Sequence, residues 1–281
     1  MSDAITPFEV AIPEEELDYL RRRINETRWP EEETVDGWEQ GMPLAYAREL
    51  AQYWANDYDW RRFETKLNSW PQFTTVIEDI DIHFIHVKSK VAGALPLIIS
   101  HGWPGSVVEF HKIIDPLVDP ESHGGSAADA FHVVAPCLPG FGFSGKPTSP
   151  GTDVDMIGRM WGQLMARLGY DRYVAQGGDW GSMVTQAMGI SETQHCAGIH
   201  INMPIVAPDP DTMADLTPQE TRALEDMGLY DAEGSGYSKQ QSTYPQTLGY
   251  ALADSPVGQM AWVAEKFYMW TDCEVDGVRH P

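Results

Sequence analysis

The chain of 281 residues is long enough for one large domain, or for one domain with a small appendage. Hydrophobic residues make up 42% of it and charged residues 22%, which is typical of a folded globular protein and not of a disordered one. The formal net charge of −23 gives a surface that repels nucleic acid backbones and anionic lipid headgroups, so we expect neither nucleic acid nor a membrane as a partner.

The cysteines and the N-terminus indicate the cellular compartment. Cys137, Cys196 and Cys273 are odd in number and widely spaced, which suggests neither a disulfide framework nor a metal site. The N-terminus lacks the basic and apolar stretches of a signal peptide, and no apolar run is long enough to span a membrane. We therefore expect a reduced, soluble, cytoplasmic protein.

Residues 1–94 are predicted to combine helices with one β-hairpin. A first helix opens after Pro13 with three glutamates and continues into three arginines, the charge order that the helix macrodipole favours, and a second helix spans Pro43 to Ala55. From Phe73 the sequence alternates as FTTVIEDIDIHFIHV, which is typical of two strands joined by a turn at Glu78-Asp79.

Residues 95–203 alternate short apolar strands with helices. The predicted strands are Leu97–Ser100, Phe131–Pro136, Arg172–Gln176 and Ala197–Met203, and the predicted helices are Asp155–Gly169 and Gly181–Gly189. Such alternation is typical of an α/β fold with a mostly parallel sheet and helices on both of its faces. Residues 204–281 contain no convincing strand and include a helix from Ser255-Pro256 to about Trp270, so we interpret them as a helical lid.

Asp179 stands at the centre of GGDWGS, between a predicted strand and a predicted helix. Small neighbours are typical of a nucleophile elbow, because the turn is tight and its central residue is strained. An aspartate there favours attack on saturated carbon, since water can cleave the ester that it forms but not the ether that a serine would form. Epoxides and alkyl halides are such substrates. The alternative is a glycine-rich turn whose aspartate caps the next helix.

A second motif, HGWPG at 101–105, directly follows the apolar strand LPLIIS. In an α/β-hydrolase this turn supplies oxyanion donors, which we predict to be the backbone N–H groups of Trp103 and of Trp180, the residue after Asp179. Pro104 has no N–H and is excluded. An oxyanion formed by attack of water on an Asp179 ester would lie between these donors. We interpret His101, which precedes the turn, as a structural residue and not as a base.

Longer matches accompany these motifs, and with them the chain resembles the microsomal-type epoxide hydrolases. The matching segments are WPQF at 70–73, IDIHFIHV at 80–87, HGWPGS at 101–106, PGFGFS at 139–144, GGDWGS at 177–182, STYPQT at 242–247, SPVG at 255–258 and EKF at 265–267. The resemblance implies an α/β-hydrolase fold with an N-terminal meander in residues 1–94, the first part of the core in 95–203, and an incomplete helical lid in 204–281, truncated before the last strands.

The resemblance also implies the chemistry. A small apolar epoxide and water react without cofactor or metal to give a vicinal diol, through an ester on Asp179, in a detoxifying reaction. In this family two lid tyrosines hydrogen-bond the epoxide oxygen, and Tyr237 matches the position of the first. The neighbouring Tyr230, Tyr244 and Tyr250 are interpreted as packing residues.

The second lid tyrosine, the relay acid and the general-base histidine of the family are not recognised before the chain ends at VRHP. We therefore expect a fragment or a truncated relative that lacks the base for turnover. A haloalkane or haloacid dehalogenase, whose lid stabilises halide with Trp, Asn or Arg donors, and a non-catalytic relative that kept the pocket are the alternatives. The sequence leaves open the epoxide, its enantiopreference and whether the chain forms a homodimer.

Overall fold

A computed structural model describes residues 3–206, 208–275 and 278–279, which form two compact units. The first unit comprises Met1–Ala11 and Trp60–Val206, and the second comprises Ile12–Asp59 and Ala207–Pro281. The helical part of the N-terminal segment therefore belongs to the same unit as the residues predicted to form the lid. The boundaries predicted at residues 94 and 203 are not those of the compact units, and the three-part division stays a prediction.

Strands and helices alternate between residues 95 and 201, and the described residues on either side are mainly helical apart from the N-terminal strands and the last short strand pair. The strands are β1 Thr6–Phe8, β2 Gln72–Ile77, β3 Ile80–Val87, β4 Leu95–Ser100, β5 Phe131–Pro136, β6 Tyr173–Gly177, β7 Cys196–Ile201, β8 Glu274–Val275 and β9 Val278–Arg279. The helices are α1 Glu14–Asn25, α2 Leu44–Asn56, α3 Trp60–Leu67, α4 Ile114–Val118, α5 Val154–Arg167, α6 Trp180–Ser191, α7 Pro218–Leu229, α8 Gly236–Thr243, α9 Pro245–Asp254 and α10 Pro256–Trp270. Every strand and helix predicted in residues 95–203 is present.

The first unit contains a sheet that, among the described residues, has seven strands in the order β1-β2-β3-β5-β4-β6-β7. The strands predicted from the βα alternation pair in parallel, β4 with β5 and β6, and β6 with β7. The N-terminal hairpin joins them through an antiparallel β3–β5 pairing, and β1 adds an antiparallel edge. The sheet is therefore mixed, and the two sequence motifs follow two of its parallel strands, β4 and β6.

The hairpin turn lies where the sequence predicts it. Glu78 and Asp79 both have positive φ angles, 51° and 60°, and Ile77 pairs with Ile80 across the turn. Two consecutive left-handed residues form the turn whose twist matches that of the flanking strands. Within residues 1–94 two elements were not predicted: β1, which spans only three residues and contains Pro7, and α3, in which four of the eight residues are charged.

The core of the first unit lies between the sheet and two helices, α5 and α6. Phe84, Ile98, Trp161 and Met188 are among its fully buried side chains, each of which contributes roughly 1.5–3 kcal/mol of transfer free energy. A Cβ atom on Gly158 of α5 would lie 3.2 Å from the Cβ of an alanine on α6, so glycine there permits close approach of the helices. This packing fixes the position at which α6 begins.

The second unit is mainly helical. Ile24 of α1, Ala51 and Ala55 of α2 and Val257 of α10 form its buried cluster. Ser255 caps α10 as predicted, since its Oγ accepts a hydrogen bond of 2.9 Å from the N–H of Gly258. The prediction that residues 204–281 hold no strand was wrong at their end, where β8 and β9 form a short antiparallel pair. None of the described helices has the length and apolar character that crossing a membrane requires.

Candidate active site

The site is centred on Asp179, between the end of β6 and the start of α6. Asp179 has a φ of 51° and a ψ of −128°. A side chain with a Cβ atom adopts such angles at a cost of order 1–3 kcal/mol, which the surrounding structure must offset. The sequence pattern predicted a strained residue at this position, and the backbone has that strain.

Glycines on both sides of Asp179 make the tight turn possible. A Cβ atom on Gly177 would lie 2.0 Å from the carbonyl oxygen of Gly181, and a Cβ atom on Gly181 would lie 2.0 Å from the carbonyl oxygen of Ser100. No side chain fits at these distances. The turn is therefore packed against the end of β4, where the HGWPG motif begins.

The Asp179 carboxylate faces that motif. The backbone N–H of Trp103 donates a hydrogen bond of 2.7 Å to its Oδ1, and a Cβ atom on Gly102 would lie 2.2 Å from the same oxygen. The side chain makes no capping hydrogen bond to α6. The alternative interpretation of Asp179 as a helix cap is therefore wrong. The carboxylate still lies at the N-terminal end of α6, where the helix dipole favours negative charge.

His101 stabilises the turn through two hydrogen bonds to backbone groups. Its side chain is fully buried, its Nε2 accepts a hydrogen bond of 3.1 Å from the N–H of Leu138, and its Nδ1 donates one of 3.0 Å to the carbonyl of Gly102. An Nε2 that accepts carries no proton, so the imidazole is neutral, and burial lowers the pKa of His101 in the same sense. Both ring nitrogens are engaged, which agrees with the prediction that His101 is structural.

The second predicted oxyanion donor is the N–H of Trp180. Trp180 is the first residue of α6, and the N–H groups of a first helical turn have no acceptor within the helix. Its indole is 54% exposed, beside the Asp179 elbow. The structure thus brings Asp179, Trp103 and Trp180 together, and all three belong to the first unit.

Tyr237 belongs to the second unit and lies in the first turn of α8. Its hydroxyl forms a hydrogen bond of 3.1 Å with the hydroxyl of Tyr230, and its ring packs against Trp270 with 5.2 Å between centroids. The prediction that the neighbouring tyrosines are packing residues was wrong, since Tyr230, Tyr244 and Tyr250 are 44%, 72% and 70% exposed.

Glu109 is a candidate site residue that the sequence motifs did not reveal. It lies in the 3₁₀ turn Val107–Phe110, and its Oε1 occupies the space beside Gly105, where a Cβ atom would collide with it. Part of Glu109 is exposed, but desolvation of its carboxyl group raises its pKa to about 7. The negative charge of Asp179 raises this pKa further, and a hydrogen bond from the backbone N–H of Gly102 lowers it. No sequence pattern marked it, because its proximity to Asp179 arises only when β4 and β6 pair in the folded sheet.

No cluster of three potential metal ligands occurs among the described residues. The histidines of β3 instead have partners within the fold. His83 contacts Cys137 and Gln72, and His86 bonds to the hydroxyl of Tyr170. At the elbow itself, the strained Asp179 carboxylate is held by the backbone N–H of Trp103.

A mixed sheet with a parallel part that carries an elbow carboxylate and an HGWPG turn defines the class as an α/β-hydrolase. Residues 96–246 match the family model "alpha/beta hydrolase fold". Residues 5–110 match the model "Epoxide hydrolase N terminus".

The structure of juvenile hormone epoxide hydrolase from the silkworm Bombyx mori superposes with a TM-score of 0.87 and 32% identity, over 96% of this chain and 67% of that one. For Aspergillus niger epoxide hydrolase the TM-score is 0.85 and the identity 33%, over 95% and 70%. The chain belongs to the epoxide hydrolase family.

Sequence relatives agree with this membership. A relative from Stigmatella aurantiaca is 53% identical over 97% of this chain and 62% of its own length. Epoxide hydrolase 1 from Oryctolagus cuniculus is 36% identical, over 97% and 64%. The chain thus spans about three fifths of the length of the curated relatives that it matches.

Proposed function

We propose that this chain acts in the hydrolysis of small apolar epoxides to vicinal diols, and that Asp179 is the nucleophile. The observation that carries the proposal is the pairing of a strained elbow carboxylate with the N–H of Trp103, which engages one carboxylate oxygen and leaves the other for attack. The proposal includes the detoxifying role and the cytoplasmic location expected from the sequence.

The first step is alkylation of the enzyme. Oδ2 of Asp179 attacks an epoxide carbon, a C–O bond of the ring breaks, and its electron pair stays on the ring oxygen. That oxygen takes a proton, for which we propose the hydroxyl of Tyr237 as the donor, and the phenolate left behind is reprotonated by the proton released from water in the second step. The products are an ester through Oδ2 and a hydroxyl group on the adjacent carbon. Oδ1 becomes the ester carbonyl oxygen and still faces the N–H of Trp103.

The second step is hydrolysis of the ester. Water attacks the carbonyl carbon, negative charge moves to Oδ1, and the N–H groups of Trp103 and Trp180 stabilise it. Collapse of this intermediate releases the diol and restores the carboxylate, with one oxygen now derived from water. A base must take the proton of the attacking water. His101 is unsuited because both of its nitrogens are engaged within the fold.

A dehalogenase would use the same carboxylate. The exposed indole of Trp180 beside Asp179 favours this alternative, since an indole N–H can donate to a leaving halide. It predicts halide release from a haloalkane, whereas the proposed function predicts reaction with an epoxide. Neither reaction would occur with a non-catalytic relative.

Mass spectrometry of the purified chain after exposure to styrene oxide tests the proposal. We expect the adduct on the peptide that contains Asp179, and none there in Asp179→Asn, which keeps the size of the side chain but removes the nucleophile. Repetition in ¹⁸O-labelled water should place label in the Asp179 carboxylate whenever the ester is cleaved. An adduct confined to Cys137 or Cys196 would contradict the assignment.

A further inference from the structure

A buried lysine lies beside the proposed donor in the second unit. Lys266 of α10 is only 5% exposed, and lysines are almost never so buried without a partner. Its ammonium group forms an ion pair with the carboxylate of the preceding residue, Glu265. The pair is only partly buried, since the Glu265 side chain is 27% exposed, and it is weak evidence for stability because desolvation of the ammonium group offsets much of the Coulomb energy. The position of the ammonium group therefore requires a further explanation.

The ammonium group lies over aromatic rings. Nζ of Lys266 is 4.6 Å from the ring centroid of Tyr237 and 5.9 Å from that of Trp262. The face of an aromatic ring attracts a cation within about 6 Å, and the attraction grows when the cation is desolvated. Tyr237 is thus held by Lys266 at its ring, by Tyr230 at its hydroxyl and by Trp270 beside it.

We infer that Lys266 is a positioning residue that orients Tyr237 and strengthens its hydroxyl as a hydrogen-bond donor. A positive charge near the ring stabilises the negative charge that the phenol oxygen gains as its proton moves toward an acceptor. Glu265 limits this effect because its carboxylate partly neutralises the ammonium group. Tyr230 completes the arrangement, since its hydroxyl can donate to Tyr237 while Tyr237 donates to the opening ring oxygen. The inference rests on the role proposed for Tyr237.

Two substitutions should move the ionisation of Tyr237 in opposite directions. Lys266→Met keeps a long apolar side chain but removes the charge, and should raise the pH at which Tyr237 ionises by roughly one unit. Glu265→Gln removes the counter-charge and should lower that pH. The readout is NMR titration of ring-labelled tyrosine, in which the Tyr237 signal is the one absent from Tyr237→Phe. Arg48→Met is the matched control, because Arg48 also lies over a ring, that of Trp29, in the same unit.

The rate of alkylation gives a second readout. Lys266→Met alone should slow formation of the Asp179 adduct by roughly tenfold. Added to Tyr237→Phe, it should slow the adduct no further, as expected for two residues that act together. An unchanged Tyr237 ionisation in folded Lys266→Met overturns the inference. If that variant does not fold, a rise or no change in Glu265→Gln overturns it. If the parent is not alkylated but both variants shift the ionisation of Tyr237 as expected, the proposed function is contradicted and the inference about Lys266 stands.

Discussion

The backbone N–H of Trp103 donates to Oδ1 of Asp179 at 2.7 Å, although the two residues are 76 positions apart in the chain. The contact exists because β4 and β6 are parallel neighbours, so that the residues that follow them emerge at the same edge of the sheet. It selects one of the two carboxylate oxygens. The oxygen that receives the N–H is the one on which negative charge would develop during ester hydrolysis.

Gly102→Ala should remove this contact. The new Cβ atom would lie 2.2 Å from Oδ1 of Asp179, and the strained elbow leaves the carboxylate little freedom to move aside except by leaving the Trp103 N–H. Misplacement of a reacting group by about 1 Å costs roughly 100-fold in rate. We therefore expect adduct formation with styrene oxide to slow by about that factor, measured by intact-protein mass spectrometry over time.

Gly93→Ala is the matched control, because a Cβ atom there meets no atom within 4 Å. Its adduct rate should equal that of the parent, and its thermal unfolding temperature should be equal or slightly higher, because alanine lowers the entropy of the unfolded chain. Circular dichroism separates a local effect of Gly102→Ala from loss of the fold. A Gly102→Ala protein that reacts as fast as Gly93→Ala would show that the Trp103–Asp179 contact does not set the reactive geometry.

Short-range sterics made Asp179 and the HGWPG turn predictable from the sequence. A tight turn demands small residues at fixed offsets, and the strands before both motifs are apolar. The Glu109 carboxyl and the Lys266–Tyr237 contact depend on chain segments that meet only after folding. The short helix α3 was missed for another reason, since its largely charged sequence has only one buried residue, Leu67. Local patterns therefore predict the elbow and the turn beside it, but not residues whose contacts form only on folding.

Asp79→Gly should stabilise the first unit. Asp79 has a φ of 60° in the hairpin turn, where glycine carries no steric penalty and is the preferred second residue. Glycine also increases the entropy of the unfolded chain, which opposes this gain. We expect the free energy of unfolding to rise by about 0.5 kcal/mol as the net result. Urea denaturation measures this change. A lower free energy of unfolding would mean that the Asp79 side chain contributes more to the turn than its backbone strain costs.

Tyr237→Phe should separate the two chemical steps. It removes the proposed donor to the opening ring oxygen but leaves Asp179 and both oxyanion N–H groups unchanged. Alkylation should slow by roughly tenfold or more, while cleavage of an ester already formed should change less. Tyr244→Phe is the matched control, since Tyr244 is exposed. Stopped reactions analysed by mass spectrometry give both rates, and equal alkylation rates in the two variants would exclude Tyr237 as the donor.

Glu109 should give the protein a pH-dependent stability. Its pKa of about 7 in the folded protein exceeds the ordinary glutamate value of 4.5, because desolvation and the nearby charge of Asp179 disfavour the ionised form. A group whose pKa is raised by folding contributes stability that is fully present below its unfolded value and is lost as the pH rises through its folded value. The free energy of unfolding should therefore fall between about pH 4.5 and pH 7.

Glu109→Gln isolates this contribution, since glutamine keeps the shape of the side chain and cannot ionise. The free energy of unfolding of the parent should fall relative to that of the variant as the pH rises across that window, in urea denaturation at matched ionic strength. Asp179→Asn supplies a second test, because removal of the neighbouring negative charge should lower the pKa of Glu109 in the folded protein. The upper pH limit of the range over which stability falls should then move to a lower pH. A constant difference between parent and Glu109→Gln from pH 4 to pH 8 would mean that the carboxyl group of Glu109 is solvated like that of an ordinary surface glutamate.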